Sequence, residues 1–497
     1  MSLPTRGFAL ALGLSTAFAV AQTPSYVFVG KAPNAQFGST VTNAGDVDGD
    51  GYPELLIGSP IDPRTTEKAG ALELRSGRTR AVLFTWLGPG KGDELGFGAD
   101  GAGDVDGDGR PDLVCGVLGG VGPERSFIGH ARVYSGKTGA RLHTFIGHDH
   151  YDFYGLAVAG LGDLDGDGRA EIAAGCPGDD SHGRNRGFLE VRLGSTGAVL
   201  HVLRGDADDD QFGWFCRAIG DVDGDGANDL LIGAPGHKVD GKPGYVRLHS
   251  GRSGALLHRI EGEAAGDRLG WCVAKLGDLD GDGVPDLLCG APFHDAGSND
   301  CGAVYVFSGK TGARLQKLIG AQAEARFGWA VHGADDLDGD GKPDFVVGSP
   351  LEDGPTNGPE AADADRGAAR GFSGASGEPL FTLRGRHPKA EFGFSVCELG
   401  EVEPGQHELV VGARSDLGEA GMVGTAAAYR IATGKGDRAP VVIEGSGELE
   451  RFDPSELHQV DPARTIELPT AKNHTLVIGV GLAVLLLLGA AFAASRR

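Results

Sequence analysis

Several signatures are missing from this 497-residue chain, and each absence removes a class of function. Its seven cysteines show no CxxC spacing, so zinc ribbons and fingers are excluded. There is no HExxH, no Gly-x-Ser-x-Gly elbow and no phosphate-binding loop, which removes the commonest metalloprotease, esterase and NTPase readings. No segment carries a sustained 3.6-residue apolar period, so helical solenoids are excluded. Lysine plus arginine number only 45 against 69 acids, a formal charge of −24. That balance provides no basic footprint for nucleic acid. Methionine occurs twice. Glycine, in contrast, occurs 87 times without a Gly-X-Y period, which excludes collagen and points to many turns.

Both ends carry membrane signals. Residues 1–21 have the layout of a signal peptide: Arg6, an apolar stretch from Phe8, and Ala19-Val20-Ala21 as a small-residue cleavage site. Residues 475–494 are free of charge and long enough for a transmembrane helix; the tail 495–497 ends in two arginines. The positive-inside tendency then places everything before the helix outside the membrane, at the cell surface or in the periplasm. Residues 446–474, with Pro454, Pro462 and Pro469, read as a stalk. The expected organisation is signal peptide, a repeat domain over 22–445, stalk, single span and short tail.

Repetition dominates what lies between. Asp-x-Asp-Gly-Asp-Gly begins at Asp46, Asp104, Asp163, Asp221, Asp278 and Asp336, at intervals of 57 to 59 residues. Nine residues before each start stands a large apolar residue followed by glycine, from Phe37-Gly38 to Phe327-Gly328. After each acidic turn comes an apolar run ending in glycine, closing as Gly-Ser-Pro or Gly-Ala-Pro at Gly58, Gly233, Gly290 and Gly348. A seventh copy keeps Phe392-Gly393 and Val410-Val411-Gly412, but its turn has become Glu401-Val402-Glu403-Pro404-Gly405. Each copy reads as four short strands: one after the apolar-Gly pair, an apolar second, an alternating third such as 245–249, and a fourth after a Ser-Gly-x-Thr/Ser-Gly turn. Seven such units predict an all-β fold, a seven-bladed β-propeller of four-stranded antiparallel blades. Either 26–29 or 441–443 closes the ring as the outer strand of the last blade.

The acidic turn has the chemistry of a calcium loop. Calcium takes six to eight oxygens, and alternate residues of a tight loop supply them. Positions one, three and five hold Asp46, Asp48 and Asp50; Asp104, Asp106 and Asp108; Asp163, Asp165 and Asp167; Asp221, Asp223 and Asp225; Asp278, Asp280 and Asp282; and Asp336, Asp338 and Asp340. Position seven offers a backbone carbonyl from Tyr52, Arg110, Arg169, Ala227, Val284 or Lys342. Position nine adds the carboxylate of Glu54, Asp112, Glu171, Asp229, Asp286 or Asp344. A plainer reading, Asp-Gly turns capped by their own side chains, accounts for one or two aspartates per turn but not for four acids. Up to six Ca2+ are expected, which would halve the formal charge of −24. Magnesium fits less well because it keeps its waters. An EF-hand requires glutamate at position twelve; here that position is Ile57, Cys115, Ala174, Ile232, Cys289 or Val347.

Phe-Gly, Asp-x-Asp-x-Asp-Gly and Gly-Ala-Pro in register resemble FG-GAP repeats, and residues 25–445 look like the N-terminal propeller of integrin α subunits. The resemblance implies calcium in the turn between the first two strands of a blade. Six intact turns and a degenerate seventh depart from that pattern, and neither an inserted ligand-binding domain nor leg domains are present. The chain is closer to bacterial FG-GAP surface proteins than to an integrin subunit.

The function expected is non-enzymatic adhesion or recognition of a protein or glycan, through loops 178–186, 293–301 and 351–370. The alternative is a phospholipase- or glycosidase-like hydrolase using a propeller face or the central channel. Other features have simpler explanations. Arg204-Gly205-Asp206 falls at a repeat-internal turn. Trp214, Trp271 and Trp329 follow the apolar-Gly pair in successive copies, a register that argues blade packing over a ligand platform. His148 and His150 read as loop surface. Cys272 and Cys289 flank one turn and can face each other across a hairpin, or be buried small hydrophobes like the rest.

Overall fold

The computed structural model describes residues 24–433 except 89, 120–126, 237–240, 354–364 and 419–420. The signal-peptide, stalk, membrane-span and tail segments, the 441–443 strand and most of loop 351–370 lie outside the described residues. Among the described residues no helix is long and apolar enough to cross a membrane.

Seven four-stranded antiparallel sheets follow one another along the chain, with one two-stranded ribbon at Leu417–Gly418 and Gly421–Met422 among the described residues. In blade one the strands are Thr40–Asn43, Leu55–Ser59, Ala71–Arg75 and Val82–Leu87, from the innermost outward. Blade seven takes its first three strands from Phe392–Glu403, Gln406–Ala413 and Thr425–Ala432. Its outer strand is Tyr26–Val29, paired with Thr425–Ala432 so that Tyr26 faces Ala428 and Val29 faces Thr425. The N-terminal strand therefore closes the ring, which decides between the two candidates.

The two glycine motifs meet at every blade junction. A Cβ on Gly58, in the second strand of blade one, would stand 2.1 Å from the carbonyl oxygen of Gly96 in blade two. The same approach closes the circle, where a Cβ on Gly412 would stand 2.0 Å from the Gly38 oxygen. Gly38 in turn donates its N–H to the Gly58 carbonyl at 3.0 Å. Any side chain at these seven junctions would push two blades apart. The Phe-Gly glycine also adopts φ between 82° and 89°, which costs a residue with a Cβ.

Second strands are buried along their whole length, as their unbroken apolar runs require. The third strands are buried as well. Tyr245–His249 alternates apolar and polar residues, yet every position is buried. Stacked blades cover both faces of a middle strand, so Arg247 and His249 sit between sheets instead of facing water. Exposure to solvent is confined to outer strands such as Val199–Arg204, where no position is fully buried.

All seven cysteines are free and buried. Cys272 lies opposite Gly290 and Val273 opposite Cys289, so the suggested pair is one residue out of register. The small-hydrophobe reading holds.

Glu94, only 5 % exposed, precedes the Leu95-Gly96 pair. Burial pushes its carboxyl up from 4.5 to about 7, with Lys68 opposing. The charged form is the disfavoured one, so no penalty exists below pH 4.5 and it is complete above about pH 7. Gln36 and Gln211 occupy the same repeat position at φ of 57° and 55°, so glutamine fits that backbone. Glu94→Gln should stabilise by roughly 3 kcal/mol at pH 8 and roughly 1 kcal/mol at pH 5. Denaturant melts at the two pH values check this; an equal gain at both would refute it.

Candidate functional site

Each acidic turn joins an innermost strand to its neighbour, so all six lie on one face of the disc. Glycines at positions four and six take φ of 77° to 90°, folding the loop back on itself. In the fourth turn, Asp221 accepts hydrogen bonds from the N–H groups of Gly224 at 2.7 Å and Gly226 at 2.9 Å. Asp223 accepts from Asp225 at 3.1 Å, and Asp225 from Ala227 at 2.9 Å. The remaining turns repeat the pattern. Side-chain capping is therefore present, and it uses only part of the oxygen capacity, because each carboxylate oxygen has two acceptor sites.

The position-nine carboxylates, Glu54, Asp112, Glu171, Asp229, Asp286 and Asp344, are all 0 % exposed. Asp344 accepts from the N–H groups of Leu337 at 2.7 Å, Asp338 at 3.2 Å and Gly374 at 2.9 Å, tying the turn to the Ser-Gly-x-Ser-Gly turn of the same blade. Burial pushes Glu54, Glu171 and Asp344 up to about 7 and Asp112 and Asp229 to about 6; Asp286 moves the same way. Oxygens of Asp46, Asp48 and Asp50 converge within 4.8 Å of one another. So do those of Asp104, Asp106 and Asp108, of Asp163, Asp165 and Glu171, and of Asp221, Asp223 and Asp225. An all-oxygen donor set and several like charges in contact fit a hard divalent cation. Lys137 and Arg252 reach Asp108 and Asp225 only at 3.6 and 3.7 Å from exposed positions, too loosely to neutralise the turns. Position twelve falls in the buried second strands, as in Ile57 and Cys115, which removes any EF-hand geometry.

The seventh copy has solved the same problem without such a turn. This copy is one residue shorter, and counted back from the second-strand glycine (Gly412, as Gly233 in blade four) its position-nine residue is Glu408, also 0 % exposed. Nη2 of Arg80, from blade one, donates to both its oxygens at 2.6 and 2.7 Å. The sequence reading missed Arg80, although a signal was there. Its position holds glycine in the next five copies (Gly139, Gly197, Gly254, Gly312 and Gly377), and Arg80 shares their left-handed backbone at φ 66°.

The opposite face carries the starts of the innermost strands and the loops between second and third strands. There a channel of about 680 Å³ opens among the blades. Trp214, Trp271, Trp329 and Phe394 form a continuous arc around it, with successive ring centroids 4.9, 4.8 and 5.5 Å apart. Trp214 and Trp271 are buried, consistent with packing, while Trp329 and Phe394 keep partly open faces. Phe293, from loop 293–301, meets Trp271 edge-on at 5.2 Å, beneath the guanidinium of Arg326. Deeper in the channel Asp100 accepts from Thr42 at 3.0 Å and lies 3.7 Å from Arg217. Burial pushes the Cys216 and Cys272 thiols up to about 12, which leaves them inert as nucleophiles.

Asp206 of the Arg-Gly-Asp string is engaged by Arg247 and, at 3.0 Å, by Arg259. Arg204 ends the outer strand of blade three, while Arg247 and Arg259 belong to blade four, so the aspartate after the repeat-internal turn is tied to the next blade. His148 and His150 are exposed on a loop.

The fold and turns define a seven-bladed propeller with a repeated acidic hairpin. The FG-GAP repeat family matches residues 37–72, 273–307 and 327–368, and the FG-GAP-like repeat family matches 221–289. The chain is 35 % identical to integrin alpha pat-2 of Caenorhabditis briggsae over 232 residues, 41 % of this chain and 18 % of that protein. It is 30 % identical to integrin alpha-V of Gallus gallus over 237 residues, 44 % and 22 % of the two chains. With integrin alpha-5 of Xenopus laevis the identity is 33 % over 215 residues, 40 % and 20 %. The chain spans about a fifth of the length of these relatives. The chain thus carries FG-GAP repeats, and its propeller is integrin α-like.

Proposed function

We propose that this protein is a calcium-loaded, extracytoplasmic recognition module that binds a protein or glycan and carries no catalytic site. In this reading each of the six turns holds one Ca2+ through positions one, three, five, seven and nine, and residues 475–494 anchor the chain in a membrane. The observation that carries the recognition role is the face opposite the turns, where an arc of four aromatic rings meets Phe293, itself covered by the guanidinium groups of Arg268 and Arg326. Partly open aromatic faces and fixed guanidinium groups suit sugar rings or protein side chains. Calcium stiffens the hairpins at one end of each innermost strand and so holds the aromatic end in place. The integrin relatives support the adhesive class.

The test is to probe the full chain, in calcium, on glycan and extracellular-protein arrays. A ligand should emerge whose affinity falls at least tenfold with Trp329→Ala or Phe293→Ala, in variants whose melting point is unchanged. Hydrolysis of an ester or glycoside substrate, or a ligand indifferent to both changes, would overturn the proposal.

A further inference from the structure

The junction between blades six and seven breaks the repeat at three positions at once. The residue before the acidic turn is glycine in five copies (Gly45, Gly103, Gly162, Gly220 and Gly277) but Asp335 in the sixth. Position eight of the turn is Pro53, Pro111, Ala170, Asn228, Pro285 and Pro343, whereas the seventh copy has His407. The sixth residue after the apolar member of the Phe-Gly pair is Glu398, where no other copy carries an acid. Two different blades supply these exceptions, and the fold brings them together.

His407 Nδ1 lies 2.5 Å from Glu398 Oε1 and 3.8 Å from Asp335 Oδ2, and one ligating atom from each residue falls within 4.8 Å of the others. The His407 and Glu398 side chains are 9 % and 7 % exposed, while that of Asp335 is 73 % exposed. The cluster is thus walled on the blade-seven side and open to solvent on the other. Glu398 Oε2 also accepts the Asp335 N–H at 3.1 Å, which fixes the second carboxylate against the first.

We propose that Asp335, Glu398 and His407 form a site for a borderline divalent cation of the zinc class, distinct from the six oxygen-only turns. One imidazole nitrogen with two carboxylates is a donor set that zinc accepts, with water completing four-coordination, whereas calcium prefers oxygen alone. At zinc-to-ligand distances of about 2.0–2.1 Å, tetrahedral donors stand about 3.3 Å apart. The two imidazole–carboxylate separations of 2.5 and 3.8 Å bracket that value, and all three donors already lie within 4.8 Å of one another. The two carboxylates carry a charge that the ion balances, and binding displaces the imidazole proton. The ion would staple blade six to the blade that closes the ring.

The test uses the full chain in millimolar calcium, so that the turns are supplied with their preferred ion. One equivalent of Zn2+ should be retained after gel filtration, and Co2+ should give the visible absorption of a four-coordinate centre. Asp335→Gly, the residue five other copies use, should fold normally and weaken Zn2+ binding at least tenfold; His407→Gln should abolish the cobalt spectrum. Should His407→Gln fail to fold, Asp335→Gly alone decides. Failure to retain Zn2+, or equal retention by both variants, would overturn the site and leave an imidazolium held between two carboxylates.

Discussion

Chelating divalent cations from the full chain should lower its melting temperature by roughly 10 °C relative to 1 mM Ca2+. Sites of the extracellular type bind calcium with Kd of roughly 10⁻⁴ M, so 1 mM supplies about 1.4 kcal/mol per site. Six independent sites then give about 8 kcal/mol, which a propeller of this size converts to roughly 10 °C. The stabilisation has a structural origin. Without a cation, six fully buried position-nine carboxylates stand beside the aspartates of their own turns. Asp223→Asn separates metal binding from side-chain capping. The amide can still accept the Asp225 N–H, now 3.1 Å away, but removes one ligand charge. If capping alone matters, the variant melts as the parent does in both conditions. If the turn holds calcium, about a sixth of the calcium-dependent rise disappears while the chelated melting point is unchanged or slightly higher. Scanning calorimetry with calcium or with chelator reads both outcomes, and identical midpoints for the parent would reject the cation altogether.

Removing Arg80 should cost about 3–5 kcal/mol without any change in calcium dependence, because it strands a buried charge. Glu408 is 0 % exposed, and among the described residues its carboxylate accepts from the Arg80 guanidinium alone. The six intact turns satisfy the equivalent acid with their own N–H groups; the shortened seventh turn does not. Glu408→Gln should cost less, because the Arg80 side chain is 13 % exposed and can still donate to the amide oxygen. Arg80→Gly should be about 1 kcal/mol less harmful than Arg80→Ala, since glycine relieves the left-handed backbone at φ 66°. Denaturant unfolding of the three variants in calcium measures this order, and a cost below about 1 kcal/mol for Arg80→Ala would show the pair to be dispensable.

The periodic features of this protein were open to reading in one dimension because their causes are local. A turn that folds back within nine residues needs its glycines and oxygens close in sequence, and so it announces itself six times. The number of blades, their four strands and the absence of an EF-hand followed from that spacing. The alternation in 245–249 was legible, but not its complete burial, because one strand does not report that a neighbouring blade covers its second face. Aromatic packing at Trp214, Trp271 and Trp329 was legible as register, while the curvature that makes an arc around a channel was not.

What the amino-acid order determined alone is thus the blade and its acidic hairpin, since both are built from contacts within about 60 residues of chain. Ring closure by Tyr26–Val29, the rescue of Glu408 by an arginine 328 positions away, and the meeting of Asp335 with His407 were decided by the tertiary structure. A circular fold brings its first and last units into contact, and only closure of the circle selects which exceptional side chains come to face one another.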